Sequence, residues 1–215
     1  MNPGERLEHG LRLLGLPLSS TARQSLLDYA ALLMKWNRTY RLTGFGTIDA
    51  VIAYHVLDSL AILPYVRGAT LLDVGSGGGV PGVPIAIARP DLQVVLLDSN
   101  SKKAAFLRQA AIELGLSHID VHCGRVEAYR SATGFATVTA RAFSSLLAFV
   151  ACSRHLLSGD GCWLAMRGAS PHGDDLARLP GEVVVEAVHR LQVPGVEAAR
   201  HVVVMSLGAA AAFEE

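Results

Sequence analysis

Leu71-Leu72-Asp73-Val74-Gly75-Ser76-Gly77-Gly78-Gly79-Val80-Pro81-Gly82 is the stretch on which the fold turns. It reads as a buried strand ending in an acid, followed by a glycine turn that opens a helix. The glycines permit a tight turn and close approach of the backbone to a ligand, and Pro81 suits the first helical position, where its missing N–H costs nothing. A second strand, Gln93-Val94-Val95-Leu96-Leu97, ends in Asp98. That acid follows the turn by about 20 residues, the spacing at which an acid meets a ribose in doubly wound nucleotide sites.

The glycines alone do not choose a ligand. Gly77-Gly78-Gly79-Val80-Pro81-Gly82 matches the G-x-G-x-x-G of dinucleotide-binding turns. In such a turn the helix N-terminus faces a pyrophosphate, which an acid at the position of Asp73 would repel. S-adenosylmethionine has no phosphate and carries an ammonium and a sulfonium, so Asp73 can hold its cationic part and Asp98 its ribose. The acid pair therefore favours S-adenosylmethionine. The plainer alternative is that Asp73 only caps the turn and Asp98 only caps the next helix, each through bonds to backbone N–H groups.

With 215 residues, 51% of them hydrophobic and 18% charged, the chain is long and apolar enough to bury a sizeable core. Its apolar runs fall short of the ~20 residues of a membrane span. The N-terminus Met1-Asn2-Pro3-Gly4-Glu5-Arg6 lacks the basic flank and apolar stretch of a signal peptide. A cytoplasmic protein without membrane contact is expected, and a monomer, since no long apolar helix face demands a partner. Cys123, Cys152 and Cys162 are widely spaced and predict neither a disulfide framework nor a zinc site. His118 and His122 fall in a loop-to-strand segment that separates them by roughly 13 Å, so no metal site is expected. Net charge is +0, so any affinity for nucleic acid must come from local clusters.

Upstream of the glycine turn, Ser19-Ser20 precedes Leu26, Leu27, Ala30, Leu33 and Met34, which predicts an amphipathic helix to about Trp36. Beyond Thr43-Gly44-Phe45-Gly46, the residues Ile52, Val56, Ser59 and Leu63 form one face of a helix from Ile48 to Leu63, stopped by Pro64. Residues 1–65 are thus expected to form a helical cap packed on a main domain of residues 66–215. Downstream, strands alternate with helices, which predicts a mostly parallel sheet covered on both faces. Asn100 or Ser101 caps the helix after Asp98, Leu107, Ala110, Ala111 and Leu114 form its inner stripe, and Gly115 closes it. Strands follow at Ile119 to Cys123 and Ala136 to Ala140, a helix from Leu146 to Leu157, and a strand from Gly161 to Met166. Val183 to Val193 and His201 to Met205 flank Pro194-Gly195 as a hairpin. The expected fold is α/β, a Rossmann-like class I methyltransferase sheet of seven strands with the last inserted antiparallel, under an N-terminal helical cap. The alanine-rich tail Ala209 to Ala212 is expected to fray.

In this arrangement the loop after the third strand passes the adenine edge. Val126 would give apolar contact and Glu127 would accept from the adenine amino group; alternatively, Glu127 is an ordinary acid in a helix's first turn. Arg141 closes a strand at the carboxyl edge, where such sheets place ligands; the alternative is a surface ion pair of little consequence. Lys102 and Lys103 oppose the dipole of their helix. With Arg108 and Arg125 they form a basic rim suited to RNA phosphates, or they simply face water. Trp36, Tyr40 and Phe143 are candidates for stacking on a base and equally for the core. No D-P-P-Y or N-P-P-Y run follows the fourth strand and no Pro-Cys pair is present. Methylation of an exocyclic amine, and attack at a pyrimidine carbon through a covalent intermediate, are both disfavoured. A ring nitrogen such as guanine N7 has a lone pair and no proton to lose, so alignment alone can suffice. No catalytic residue is singled out.

Six blocks together, Lys35-Trp36-Asn37-Arg38-Thr39-Tyr40-Arg41-Leu42-Thr43, His55-Val56-Leu57-Asp58-Ser59, Asp73 to Pro84, Leu96-Leu97-Asp98-Ser99, Phe106-Leu107-Arg108-Gln109 and Arg141-Ala142-Phe143, resemble the RsmG (GidB) family in order over nearly the whole chain. The resemblance implies a bacterial enzyme that uses S-adenosylmethionine to methylate N7 of one guanine, guanine 527, in 16S rRNA. Its partner would be 16S rRNA or a small-subunit particle. By position the resemblance puts cofactor contacts on Gly75, Val80, Val126, Glu127 and Arg141; Asp73, Gly77 and Asp98 join them from the reading of the strand ends and the turn. Two departures stand out. Family members commonly carry Lys where this chain has Arg167 in Met166-Arg167-Gly168, and often Gly-Lys-Arg where it has Ser101-Lys102-Lys103. Arg is not a neutral substitute for a compact ammonium, but positive charge is kept at both places, so Arg167 joins the RNA-facing candidates. Two other classes remain: a nicotinamide-dependent oxidoreductase, resting on the glycines, and an RNA-binding module that keeps the fold without methyl transfer.

Overall fold

The computed structural model describes residues 1–141 and 143–208. Helices come first. α1 (Pro3–Leu13) begins in a capping box: the Asn2 side chain accepts the Glu5 N–H at 2.9 Å, and the Glu5 carboxylate accepts the Asn2 N–H at 2.9 Å. Two N–H groups that a helix start leaves open are thereby satisfied. α2 (Ser20–Tyr40), capped by Ser19, runs past the expected end at Trp36 and stops at Arg41, whose φ is 50°.

The helix expected from Ile48 to Leu63 is instead composite: α3 (Ile48–Val51), a π-helical turn (Ile52–Leu57), α4 (Asp58–Leu60) and a 3-10 turn (Leu63–Tyr65) that contains Pro64 rather than ending before it. By length and composition, Ile48–Tyr65 matches a membrane-crossing helix, contrary to the reading of the apolar runs. In the fold it is a core element that carries a buried acid, Asp58.

Among the described residues seven strands form one sheet: β1 (Thr70–Val74), β2 (Gln93–Asp98), β3 (Ile119–Cys123), β4 (Phe135–Arg141), β5 (Leu157–Arg167), β6 (Val183–Leu191) and β7 (Arg200–Leu207). Their order is β3-β2-β1-β4-β5-β7-β6, with β7 antiparallel between β5 and β6 and the other pairings parallel. α5 (Gly82–Ala88), α6 (Ser101–Glu113) and α7 (Leu146–Ser153) connect the strands, and a short α8 (Gly173–Ala177) follows β5. Pro81 is the N-cap of α5, one position earlier than expected, after a cis Val80–Pro81 bond. β5 starts at Leu157 rather than Gly161. Asn100 caps α6, accepting the Lys102 and Lys103 N–H groups.

Strand alternation divides the core into two. Leu71, Leu96 and Val204 pack with α1, α2, α5 and α6, whereas their neighbours Leu72, Leu97 and Val203 pack with α7 on the other face. The N-terminal helices share the first of these cores: Leu7, Leu26 and Ile52 belong to the same buried cluster as Leu71. Ala209 to Ala212 lie outside the described residues.

Candidate active site

The glycine turn is stapled to the end of β2. Gly75 and Ser76 donate their N–H groups to the Leu97 carbonyl at 2.8 and 3.0 Å. The buried Ser76 hydroxyl donates to the Asp73 carbonyl at 2.8 Å and accepts the Leu97 N–H at 3.1 Å. Gly75 adopts φ +73°, and a Cβ there would meet nothing within 4 Å among the described residues, so its backbone is open to a ligand. Gly82 is required for the opposite reason: its Cβ would stand 2.2 Å from Leu96 Cδ2. Behind the turn, the buried Tyr29 hydroxyl of α2 donates to the Gly78 carbonyl at 2.6 Å. Tyr29 was not a sequence candidate. Its signal is a phenol on the buried face of α2, which needs a partner for its hydroxyl.

The two strand-end acids behave differently. Asp98, at the surface of the cleft, accepts the Gly77 N–H on Oδ2 at 2.9 Å and the Asn100 N–H on Oδ1 at 2.8 Å, with Lys103 Nζ at 3.8 Å. Each of its oxygens keeps a lone pair for another donor. Asp73 was expected to face a cationic ligand, but its side chain is fully buried behind the turn. Its Oδ2 accepts the Gly82 N–H at 2.9 Å, while Oδ1 has no partner among the described residues. Burial pushes its carboxyl up to about 7.

A cleft of about 460 Å³ opens at the carboxyl ends of β1, β2 and β4, where Gly75, Asp98, Val126, Glu127 and Arg141 meet. Lys103 and Arg125 line it too, but Gly77 and Val80 do not: the Gly77 N–H is committed to Asp98, and Val80 is buried with its N–H on the Ser76 carbonyl. Cys152, also in the wall, has its thiol pushed up to about 11, chiefly by burial, which leaves it inert.

A second cleft, again of about 460 Å³, shares Arg141 and Phe143 with the first. Arg141 does not make the surface ion pair considered from sequence. Its Nη1 donates to the Tyr54 carbonyl at 2.9 Å and faces Asp58 Oδ2 at 3.4 Å, and its Nη2 lies 3.0 Å from His55 Nδ1. Arg200 Nε donates to the other Asp58 oxygen at 3.1 Å. His55 Nδ1 also lies 3.0 Å from the Tyr54 carbonyl oxygen, and Nε2 lies 2.7 Å from Thr43 Oγ1, so both ring nitrogens are engaged. Burial, with Arg141 beside it, lowers His55 to about 4 and keeps it neutral. Burial raises Asp58 against the opposing pull of both arginines.

The remaining candidates are dispersed. Arg167 lines the second cleft, paired with Asp175 at 3.2 Å. Lys102 and Arg108 are exposed on α6 and line neither cleft, so the basic rim expected from sequence is split. Trp36 packs on Tyr40 and Phe106 at 5.3 and 5.6 Å, along the seam of α2 with α6.

The strand order, the antiparallel β7 and the cleft at the strands' carboxyl edge define a class I methyltransferase. Solved structures share this fold. TrmN from Thermus thermophilus aligns with a TM-score of 0.56 at 20% identity, over 70% of this chain and 48% of that one. A TehB-like SAM-dependent methyltransferase from Corynebacterium glutamicum aligns with a TM-score of 0.54 at 17% identity, over 83% of this chain and 99% of that one. The GidB family pattern, described as rRNA small subunit methyltransferase G, matches residues 22–203. Relatives named "Ribosomal RNA small subunit methyltransferase G" include one from Neisseria gonorrhoeae, 52% identical over 207 residues, spanning 96% of this chain and 99% of the relative. Another, from Laribacter hongkongensis, is 50% identical and spans 96% of this chain and 100% of the relative. The chain belongs to the GidB family and is a methyltransferase.

Proposed function

We propose that this enzyme moves the methyl group of S-adenosylmethionine to N7 of a guanine in 16S rRNA, guanine 527, with the RNA or a small-subunit particle as acceptor. The observation that carries the reading is the first cleft, where an open backbone at Gly75, spare carboxylate lone pairs at Asp98, the Val126–Glu127 turn and the Arg141 guanidinium converge. The names of the relatives support ribosomal RNA as acceptor, and the description of the Corynebacterium structure supports the cofactor.

S-adenosylmethionine, when bound, supplies an electrophilic methyl on a positively charged sulfur. Asp98 suits the ribose hydroxyls, Glu127 the adenine amino group, and the remaining N–H groups of Arg141 a carboxylate. Guanine N7 has no proton to surrender, so no residue need act as a base. The groups beside the site agree with this: both nitrogens of His55 are engaged, and Asp58 is held by two arginines. Transfer then depends on alignment within the two-cleft frame.

The test is transfer of labelled methyl to small subunits lacking the modification, with the product nucleoside separated chromatographically. Labelled 7-methylguanosine is expected. A different methylated nucleoside, or no transfer despite cofactor binding, would overturn the reading.

A further inference from the structure

We infer that the second cleft is the acceptor site and takes a guanosine nucleotide turned out of its RNA strand; the inference rests on the methyl-transfer reading above. Position is the first reason. Among the described residues Arg141 and Phe143 are common to both clefts, so a base held in the second lies across a shared wall from the first. Its volume of about 460 Å³ falls in the range of small-ligand sites.

The lining fits a nucleotide. Phe45 and Tyr54 stack at 4.7 Å with their planes 23° apart, presenting aromatic surface to the cleft. Such platforms hold unpaired bases by stacking. Arg200 stands over the Tyr54 ring at 5.8 Å, pinned through Nε to Asp58 and through Nη1 to the Ala199 carbonyl. Among the described residues its Nη2 has no partner, which leaves a fixed cation beside the aromatic pair for the phosphodiester of a stacked base. The lining also bears on base identity. The carboxylate in this wall, Asp58, is 2% exposed and lies behind Arg141 and Arg200, so burial rather than lack of lone pairs withholds it from the amine of adenine or cytosine. Guanine's N7 edge carries only acceptors, N7 and O6, whereas adenine's N6 amine is a donor. A guanidinium-rich wall therefore suits guanine.

The experiment compares the wild type with Tyr54→Ala, Phe45→Leu and Arg200→Gln. It measures S-adenosylmethionine affinity by calorimetry, RNA affinity by filter binding at several salt concentrations, and methylation kinetics on unmodified small subunits. Tyr54→Ala removes the ring on which Phe45 stacks and over which Arg200 stands, and is expected to raise KM for RNA at least about tenfold, the scale of one lost base stack, with cofactor affinity within about twofold. Phe45→Leu, which keeps apolar volume, should move KM in the same direction. Arg200→Gln should reduce the slope of log affinity against log salt by about one, as loss of one phosphate contact does. Unchanged KM and salt slope in all three variants, or loss of cofactor affinity in step with RNA affinity, would overturn the proposal. If the wild type yields no 7-methylguanosine, the methyl-transfer reading falls. RNA binding by the variants then decides the cleft, unchanged affinity counting against it.

Discussion

Asp73 and Asp98 end neighbouring strands at the same edge of the sheet, yet one holds a turn from behind and the other faces the cleft. Burial raises the Asp73 carboxyl from 3.8 to about 7, so the folded protein binds that proton more tightly than the unfolded chain. The group's contribution to stability is therefore greatest below its unfolded value and falls as pH rises toward 7. Asp73→Asn keeps an acceptor for the Gly82 N–H and removes the titration. Between about pH 5 and about pH 8 the wild type should lose about 2 kcal/mol more stability than Asp73→Asn, read from urea unfolding at each pH. Parallel pH profiles would show that Asp73 does not titrate in this window. The buried position also changes the argument over ligands: an acid behind the turn does not meet a phosphate, so the distinction from dinucleotide-binding folds rests on the antiparallel β7. Alternation already held that answer. Asp73 shares a face with Leu71, which packs under α2 and α5. Asp98, Glu127 and Arg141 were legible because strand and loop ends at the carboxyl edge open onto the cleft.

At the scale of elements, the glycine turn depends on α2, which the first strand's sequence does not reveal. Tyr29 reaches Gly78 across 49 positions and donates to its carbonyl in a buried setting. Tyr29→Phe keeps the ring and leaves that carbonyl unpaired, at a cost of about 1–2 kcal/mol. A fall in Tm of roughly 2–6 °C is expected by calorimetry, with weaker S-adenosylmethionine binding because the turn is less firmly held. An unchanged Tm would show that water or a shift of the turn replaces the bond. Periodicity found α2, α6, α7 and most strands, because apolar faces at regular spacing mark them. It missed α1, marked by the Asn2–Glu5 capping box instead, and the π-helical turn, where an added residue keeps the apolar pattern nearly helical while altering the hydrogen bonding. That turn contains His55 and leads directly to Asp58, and neither side chain's role follows from apolar spacing.

For the molecule as a whole, one ion triad around a buried carboxylate joins parts of the chain that secondary structure does not connect. Asp58 comes from the N-terminal helices, Arg141 from β4 and Arg200 from β7, separated from Asp58 by 83 and 142 positions. Asp58 is 2% exposed, so its charge is desolvated and its two partners are what make it tolerable there. Truncation removes the anion and leaves two partly exposed guanidiniums, 25% and 22% exposed, without their shared partner. Asp58→Ala should therefore cost about 2–3 kcal/mol, below the ~3–5 kcal/mol of a fully buried pair because water reaches both arginines. Arg67 and Glu186 provide the comparison: their side chains are 45% and 30% exposed, so Glu186→Ala should cost less than about 1 kcal/mol, although the pair is bidentate. Urea midpoints measured side by side, with m unchanged, report the difference. In Asp58→Ala the amides of Ile48–Leu60 should also exchange hydrogen faster relative to those of β1 and β2, because the lost anchor is the one tying that segment to the far strands. Similar midpoints for the two variants would mean that the apolar cluster around Leu57 and Leu60 holds the helices without the triad.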